Sequence, residues 1–299
     1  MNALLYKRDK CQSDFILVTE DADLLETYGQ MYRCEPVEIR GKVETESDFR
    51  KLHKQLTEKY PKKFCCVCDL PNSYAALTLL PGAAHIQKTD TRTINILQII
   101  ENFMYLTLIP EDGIITLHGA AVAKGDKAFL LSARTTAGKS TLTAFLWMAG
   151  YEYITDDEIF ISQKTLAVET VRKTLSLRPG GYEVLQKIFP NGEARLNAVK
   201  RIAYGNNDRY LLPIPEAPRH AQYKIAAIVF LEEYGSPAPY LKKLNACDGF
   251  QKLLKGQLSA KEDTPILVKY KTLAQLSHNT YEMRYSDLWT AETYLKHLL

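Results

Sequence analysis

The stretch Ala133-Arg134-Thr135-Thr136-Ala137-Gly138-Lys139-Ser140-Thr141 carries the pattern in this sequence that most directly implies chemistry. A short loop ending in Gly-Lys-Ser, between a strand and a helix, aims backbone N–H groups and the positive end of the helix at an anion. The lysine of such a loop reaches the outer phosphate oxygens of a nucleotide, and its serine offers a hydroxyl to Mg²⁺. The expected ligand is ATP, contacted by Arg134, Thr135, Thr136, Ala137, Gly138, Lys139, Ser140 and Thr141. The first glycine usual in this loop is here Ala133, which fits where that residue keeps φ negative.

Two polar pairs flank the loop. His118-Gly119 ends one strand before it, and Asp156-Asp157 follows the first strand after it. In a parallel α/β sheet the strand ends and the loop gather at one edge, which would bring these side chains to the terminal phosphate. One carboxylate would then hold the metal and the other a substrate hydroxyl, with histidine tuning its protonation. Taken singly, Thr155-Asp156-Asp157 also reads as a polar turn and His118 as a satisfied core histidine.

The elements that must position these residues follow from periodicity and turn signals. Strands are expected over 114–122 and 128–131, around a turn at Lys124-Gly125-Asp126-Lys127, with a helix from Lys139 to Ala149. Strands follow over 151–154, 158–162 and 174–177, then a helix over 180–189, a turn at Asn191-Gly192, and an extended loop through Pro213, Pro215 and Pro218. A strand over 225–231 and helices over 247–258 and 287–299 complete the chain. Lys200-Arg201 and Arg209 read as loop residues, and a mostly apolar helix over 93–109 opens this second domain, assigned to 91–299. Residues 1–90 read as a small α/β module, with strands over 15–19, 36–40 and 64–68 and helices over 21–32 and 47–60.

From Leu117 to Ile161 the order and spacing of His118-Gly119, Gly138-Lys139-Ser140 and Ile154-Thr155-Asp156-Asp157 resemble the C-terminal domain of HPr kinase/phosphorylase and its P-loop relatives. The resemblance implies an α/β, PEP-carboxykinase-type fold preceded by the small N-terminal module. It implies Lys139 as the loop lysine, Asp156 as the catalytic carboxylate with His118 beside it, and Ser140 and Asp157 as Mg²⁺ ligands. Arg178 lies roughly where the family has an arginine in a Glu-Ile-Arg-Gly segment. The acidic residue of that segment is missing here, so kinase activity without phosphorolysis is what carries over. A small module ahead of such a domain is similar to the kinases that phosphorylate serine on ribosomally made lasso precursor peptides. The module at 1–90 would then dock the peptide. Two other readings stand beside this one: a nucleotide-binding regulator without transferase activity, and a small-molecule hydroxyl kinase.

Composition sets the frame. The 299 residues are 46% hydrophobic and 24% charged, as in soluble globular domains, a composition that reads against disorder and coiled coil. A net charge of +3, with tyrosines spread through the chain and no basic patch among them, gives no nucleic-acid platform. Apolar runs stay far below the roughly 18 residues a spanning helix needs, and no apolar segment follows the basic start, so a cytoplasmic protein with no membrane partner is expected. A homo-oligomer stays open. Cys65 and Cys68 form a C-x-x-C without a second pair, which favours a buried strand using cysteine as a small hydrophobe.

Overall fold

The computed structural model describes residues 2–8, 10–32, 34–39, 41–60, 63–70, 73–80, 83–90, 100, 101, 104, 110–134, 137–170, 173–190, 194–204, 207–213, 219–256 and 265–299. For 63, 69, 70, 73–80, 83–90, 203, 204 and 207 it describes the backbone alone. The chain is mixed α/β and divides into two units, Met1–Glu111 with Ile202–Asp208, and Asp112–Arg201 with Arg209–Leu299.

In the first unit, strands β1 (Asn2–Tyr6), β2 (Ser13–Thr19), β3 (Cys34–Val37), β4 (Lys63–Leu70), β5 (Ser73–Leu80) and β6 (Ala83–Asp90) form one sheet in the order β3-β1-β2-β4-β5-β6. The β2–β4 pair is parallel, which requires a long crossover. Helices α1 (Ala22–Met31) and α2 (Glu46–Lys59) lie within it. The Asp21 carboxylate caps α1, and a Thr45/Asp48 capping box starts α2. Phe49, Leu52 and Leu56 of α2 pack with Ile16, Val18, Cys66 and Cys68, whereas Tyr28 of α1 meets Phe15. Alternate residues of β2 thus serve opposite helices. The same alternation separates Cys65 from Cys68, three residues apart on β4 and therefore on opposite faces. Both are buried, and none of the six cysteines is in a disulfide.

In the second unit, strands β7 (Ile114–His118), β8 (Ala120–Lys124), β9 (Lys127–Ala133), β10 (Glu152–Thr155), β11 (Glu158–Ser162) and β12 (Ala167–Glu169) precede the short β13 (Ser176–Leu177), whereas β14 (Lys200–Tyr204) and β15 (Asn207–Leu211) each include residues of both units. Then come β16 (Gln222–Tyr234), β17 (Tyr240–Lys243) and β18 (Thr280–Tyr285). The large sheet runs β10-β8-β9-β16-β12-β11-β7, with β18 beside β16 and β17 beside β18. Helices are α3 (Lys139–Met148), α4 (Pro179–Ile188), α5 (Ala194–Asn197), α6 (Ala246–Lys255), α7 (Ile266–Leu276) and α8 (Leu288–Lys296). Phe129, Leu131, Val229 and Leu231 pack one sheet face against α3 and α8, and Leu130, Ile228 and Phe230 pack the other against α6 and α7. Leu142, Phe145 and Leu146 of α3 are fully buried, at about 1.5–3 kcal/mol each, which anchors the helix that Lys139 opens.

The sheet is mixed, which corrects the parallel sheet expected. Strand β16 runs parallel to β9 and β18, and its neighbour β12 is antiparallel to it. The strand expected over 114–122 is two strands, broken at Gly119. Lys200 and Arg201 lie in β14 and Arg209 in β15, strands instead of loop, because pairing such as Leu177 with Tyr210 overrides their polar composition. Helix 93–109 is described only at residues 100, 101 and 104, which are helical, and the turn at Asn191-Gly192, with Pro215 and Pro218, lies outside the described residues. Leu258 of the expected 247–258 helix lies outside them too. No helix among the described residues is long and apolar enough to cross a membrane.

Candidate functional site

A two-stranded ribbon with a corner brings His118 to the aspartates. Strand β8 pairs antiparallel with β10 and β7 with β11; after an irregularity between Tyr153 and Thr155, Ala121 stands opposite Thr155 and His118 opposite Glu158. The residues between, Gly119-Ala120 and Asp156-Asp157, form the corner where the ribbon leaves one side of the sheet for the other. The Gly119 N–H donates to the Asp157 carbonyl at 3.3 Å across it. Glycine is required there, since a Cβ would lie 2.6 Å from both the Leu131 carbonyl oxygen and Ile159 Cδ1. Asp157 takes the left-handed conformation with φ +70°, unusual for a side-chain-bearing residue.

The loop arrives at the same edge. Because β8 is antiparallel to both β9 and β10, those two strands run the same way and end together. Strand β9 ends at Ala133, the Ala137 N–H donates to the Arg134 carbonyl at 3.1 Å, and Gly138 caps α3 at φ +85°. A Cβ on Gly138 would approach the Tyr285 hydroxyl at 3.1 Å. Lys139, 8% exposed, then donates to Asp156 Oδ1 at 2.6 Å and to Asp157 Oδ1 at 2.9 Å. Asp156 is 2% exposed, while the Asp157 side chain is 47% exposed, so one carboxylate is interior and the other opens to solvent.

Electrostatics follow from this packing. Burial alone would lower the pKa of the Lys139 ammonium, but Asp156 and Asp157 outweigh it and raise it above its ordinary value. Burial would raise the Asp157 carboxyl; Lys173 and then Lys139 outweigh it and hold it well below the usual carboxylate range. Burial, with the Lys139 charge, lowers the pKa of His118. The His118 Nδ1 lies 3.0 Å from the Asp157 carbonyl oxygen, which can only accept, so Nδ1 carries a proton and Nε2 is the basic nitrogen of the neutral ring. His118 also borders a small, mostly apolar pocket walled by Leu130, Ile159, Phe230 and Leu253, with Ser132 among its lining.

Of the residues singled out in the sequence, His118, Lys139, Asp156 and Asp157 therefore form one cluster. Ser140 and Thr141 lie in the first turn of α3, and Ser140 Oγ has no hydrogen-bond partner among the described residues. Arg134 is exposed at the end of β9, and Ala133 does not have a positive φ, so its methyl group is accommodated. Thr135 and Thr136 lie outside the described residues. Arg178 is exposed at the N-cap of α4 and makes no hydrogen bond or ion pair with any of the four. Its helix nevertheless starts against α3, since a Cβ on Gly181 would stand 2.4 Å from Thr141 Oγ1. Sequence alone gives no sign of Lys173, whose Nζ stands 3.7 Å from Asp157 Oδ2; a basic residue before a short strand carries no signal of its partner.

Among the described residues no group of three or more His, Cys, Asp and Glu side chains could hold a metal by themselves. The oxygens of Asp157 and Ser140 are nonetheless hard donors of the kind Mg²⁺ takes when phosphates complete its shell, so the residues fit that ion. No protein-family model matches the chain, and no curated protein matches it.

Proposed function

We propose that the chain is an ATP-dependent kinase of the HPr-kinase-like, PEP-carboxykinase-type P-loop class, transferring the γ-phosphoryl group to a serine hydroxyl on a peptide or protein. A ribosomally made lasso precursor peptide is the favoured acceptor class, and the cytoplasm the expected compartment. The observation that carries this reading is the buried Lys139, at the N-terminus of α3 behind a left-handed Gly138, bonded at 2.6 and 2.9 Å to two consecutive aspartates. An isolated helix would need no such cluster for stability, since buried ion pairs are weak stabilisers.

In this reading Lys139 exchanges its carboxylates for phosphate oxygens, and the N–H groups of the loop and first helical turn take the others. Ser140 and Asp157 would hold Mg²⁺, which when bound would supply charge neutralisation on the phosphates. Asp156, released from Lys139 and interior, orients the acceptor hydroxyl and accepts its proton as the acceptor oxygen bonds to the γ-phosphorus. The bond from that phosphorus to the bridging oxygen breaks and ADP leaves. His118, fixed through Nδ1 to the Asp157 carbonyl, holds the corner that carries both aspartates. The N-terminal unit is assigned to acceptor docking, and Arg178 to the phosphate end of the nucleotide. Because Ala133 is accommodated, the missing first glycine lends no support to a regulator without activity.

The test is incubation with Mg²⁺-ATP and a panel of serine-bearing precursor peptides and HPr, read by mass spectrometry. One added phosphate mass, lost in Asp156→Asn while nucleotide still binds, is expected. Wild-type turnover in that variant would remove Asp156 from its role, and no transfer to any acceptor would remove the kinase reading.

A further inference from the structure

An exposed aromatic ring stands beside the loop, on the side away from the aspartates. Strand β16 runs parallel to β9 with Leu231 level with Ala133, so it continues past the end of β9 to Tyr234. Strand β18, also parallel to β16, places Tyr285 opposite Tyr234. Tyr285 is fully buried, and its hydroxyl donates to the Ala137 carbonyl of the loop at 3.4 Å. Tyr234 lies against it, with ring centroids 5.5 Å apart and the planes tilted by 52°, and is itself 48% exposed. One buried ring therefore separates the exposed ring from the phosphate loop.

The exposed ring is carried on a fixed backbone. The N–H groups of Gly235 and Ser236 both donate to the Tyr285 carbonyl, at 2.8 and 3.1 Å, which pins the chain directly after Tyr234. The sheet order β10-β8-β9-β16 then gives the site a direction. The aspartates follow β10, the loop follows β9 and Tyr234 ends β16, all at the edge where these three strands finish. From β10 to β16 is three strand spacings, or about 14 Å, with the loop between. A nucleoside triphosphate that sets its γ-phosphoryl group at the aspartates and its other phosphates on the loop carries its base toward β16. The base is flat and needs a π surface there, which Tyr234 presents.

We infer, on the kinase reading, that Tyr234 is the ring on which the adenine base of the nucleotide stacks, with Tyr285 as the buried support that ties this ring to the loop. Stacking uses the ring face and not the hydroxyl, so phenylalanine can replace Tyr234, whereas leucine, which keeps apolar bulk without a π face, cannot.

The test uses the full chain and its Tyr234→Ala, Tyr234→Leu and Tyr234→Phe variants, with calorimetric binding of two probes in Mg²⁺: the non-hydrolysable β,γ-imido analogue of ATP, and inorganic tripolyphosphate, which has no base. Loss of one base–aromatic stack predicts that Tyr234→Ala and Tyr234→Leu bind the nucleotide analogue about fivefold or more weakly. Tripolyphosphate affinity should stay within about twofold in both, which also establishes that they are folded, and Tyr234→Phe should bind the analogue as wild type does. Equal weakening of both probes in the alanine and leucine variants, or no change in either, would overturn the role of Tyr234 while leaving the kinase reading in place. Wild-type protein that binds neither probe would overturn both.

Discussion

Lys139 and Asp156 can be tested against each other by a double-mutant cycle. Both are buried, at 8% and 2% exposure, with Nζ and Oδ1 2.6 Å apart. Removing one partner of such a pair costs about 3–5 kcal/mol, because it leaves an uncompensated charge inside. The two single changes are not equivalent. In Asp156→Asn the ammonium keeps Asp157 at 2.9 Å, so the cost falls to about 1–3 kcal/mol, that of a hydrogen bond to a charged group. In Lys139→Met the interior Asp156 loses its cation and Asp157 retains Lys173 at 3.7 Å, which places the cost in the full 3–5 kcal/mol range. The double variant buries no charge at this point, so it should be no worse than Lys139→Met alone. The coupling energy is then at least about 1 kcal/mol in magnitude. Urea unfolding followed by tryptophan fluorescence measures it. The only two tryptophans are Trp147, buried on α3, and Trp289, against Phe145, so the signal reports the second unit. Additive costs, with coupling under about 0.5 kcal/mol, would refute the buried pair.

Three further outcomes follow from the packing. Gly119→Ala pushes a methyl group to 2.6 Å from the Leu131 carbonyl oxygen and should lower stability by about 1–3 kcal/mol; an unchanged melting temperature would contradict the tight corner. Burial and Lys139 depress the His118 pKa, so the unfolded chain takes up that proton first, and stability present above about pH 6.5 is lost as pH falls through it. The melting temperature should therefore drop less between pH 7.5 and 5.5 in His118→Gln than in wild type, and equal drops would sink this account of the imidazole. A thiol reagent on the native chain should modify exposed Cys247 quickly and Cys34 slowly, since burial pushes the Cys34 thiol up to about 12. Fast reaction of Cys65, Cys66 or Cys68 would contradict their buried places on β4.

What could be read from the sequence was local. The loop, the helix after it and the turn at Gly125-Asp126 appear because Gly-Lys-Ser, apolar spacing and turn chemistry all lie within a few residues of one another. The cluster of His118, Lys139, Asp156 and Asp157 was legible as residues that ought to meet. Its actual cause, a ribbon corner in which Gly119 stands opposite Asp157, depends on pairing between segments almost forty positions apart and leaves no periodic trace. Strands β5 and β6 have Ala-rich and polar stretches that read poorly as strand, and only pairing across the sheet makes them so. Lys173 was invisible for the same reason: its partner is set by where the chain between β12 and β13 passes the corner.

The most direct measurement of the central claim is calorimetric titration of the full chain and of Lys139→Met with Mg²⁺-ATP at one fixed salt concentration. Saturable binding to wild type, weakened about tenfold or more in the variant through loss of a charge-assisted contact to phosphate, is the expected result. Wild-type chain that binds no nucleotide, or a variant that binds it as tightly, would show that the cluster at the start of α3 is not a phosphate site.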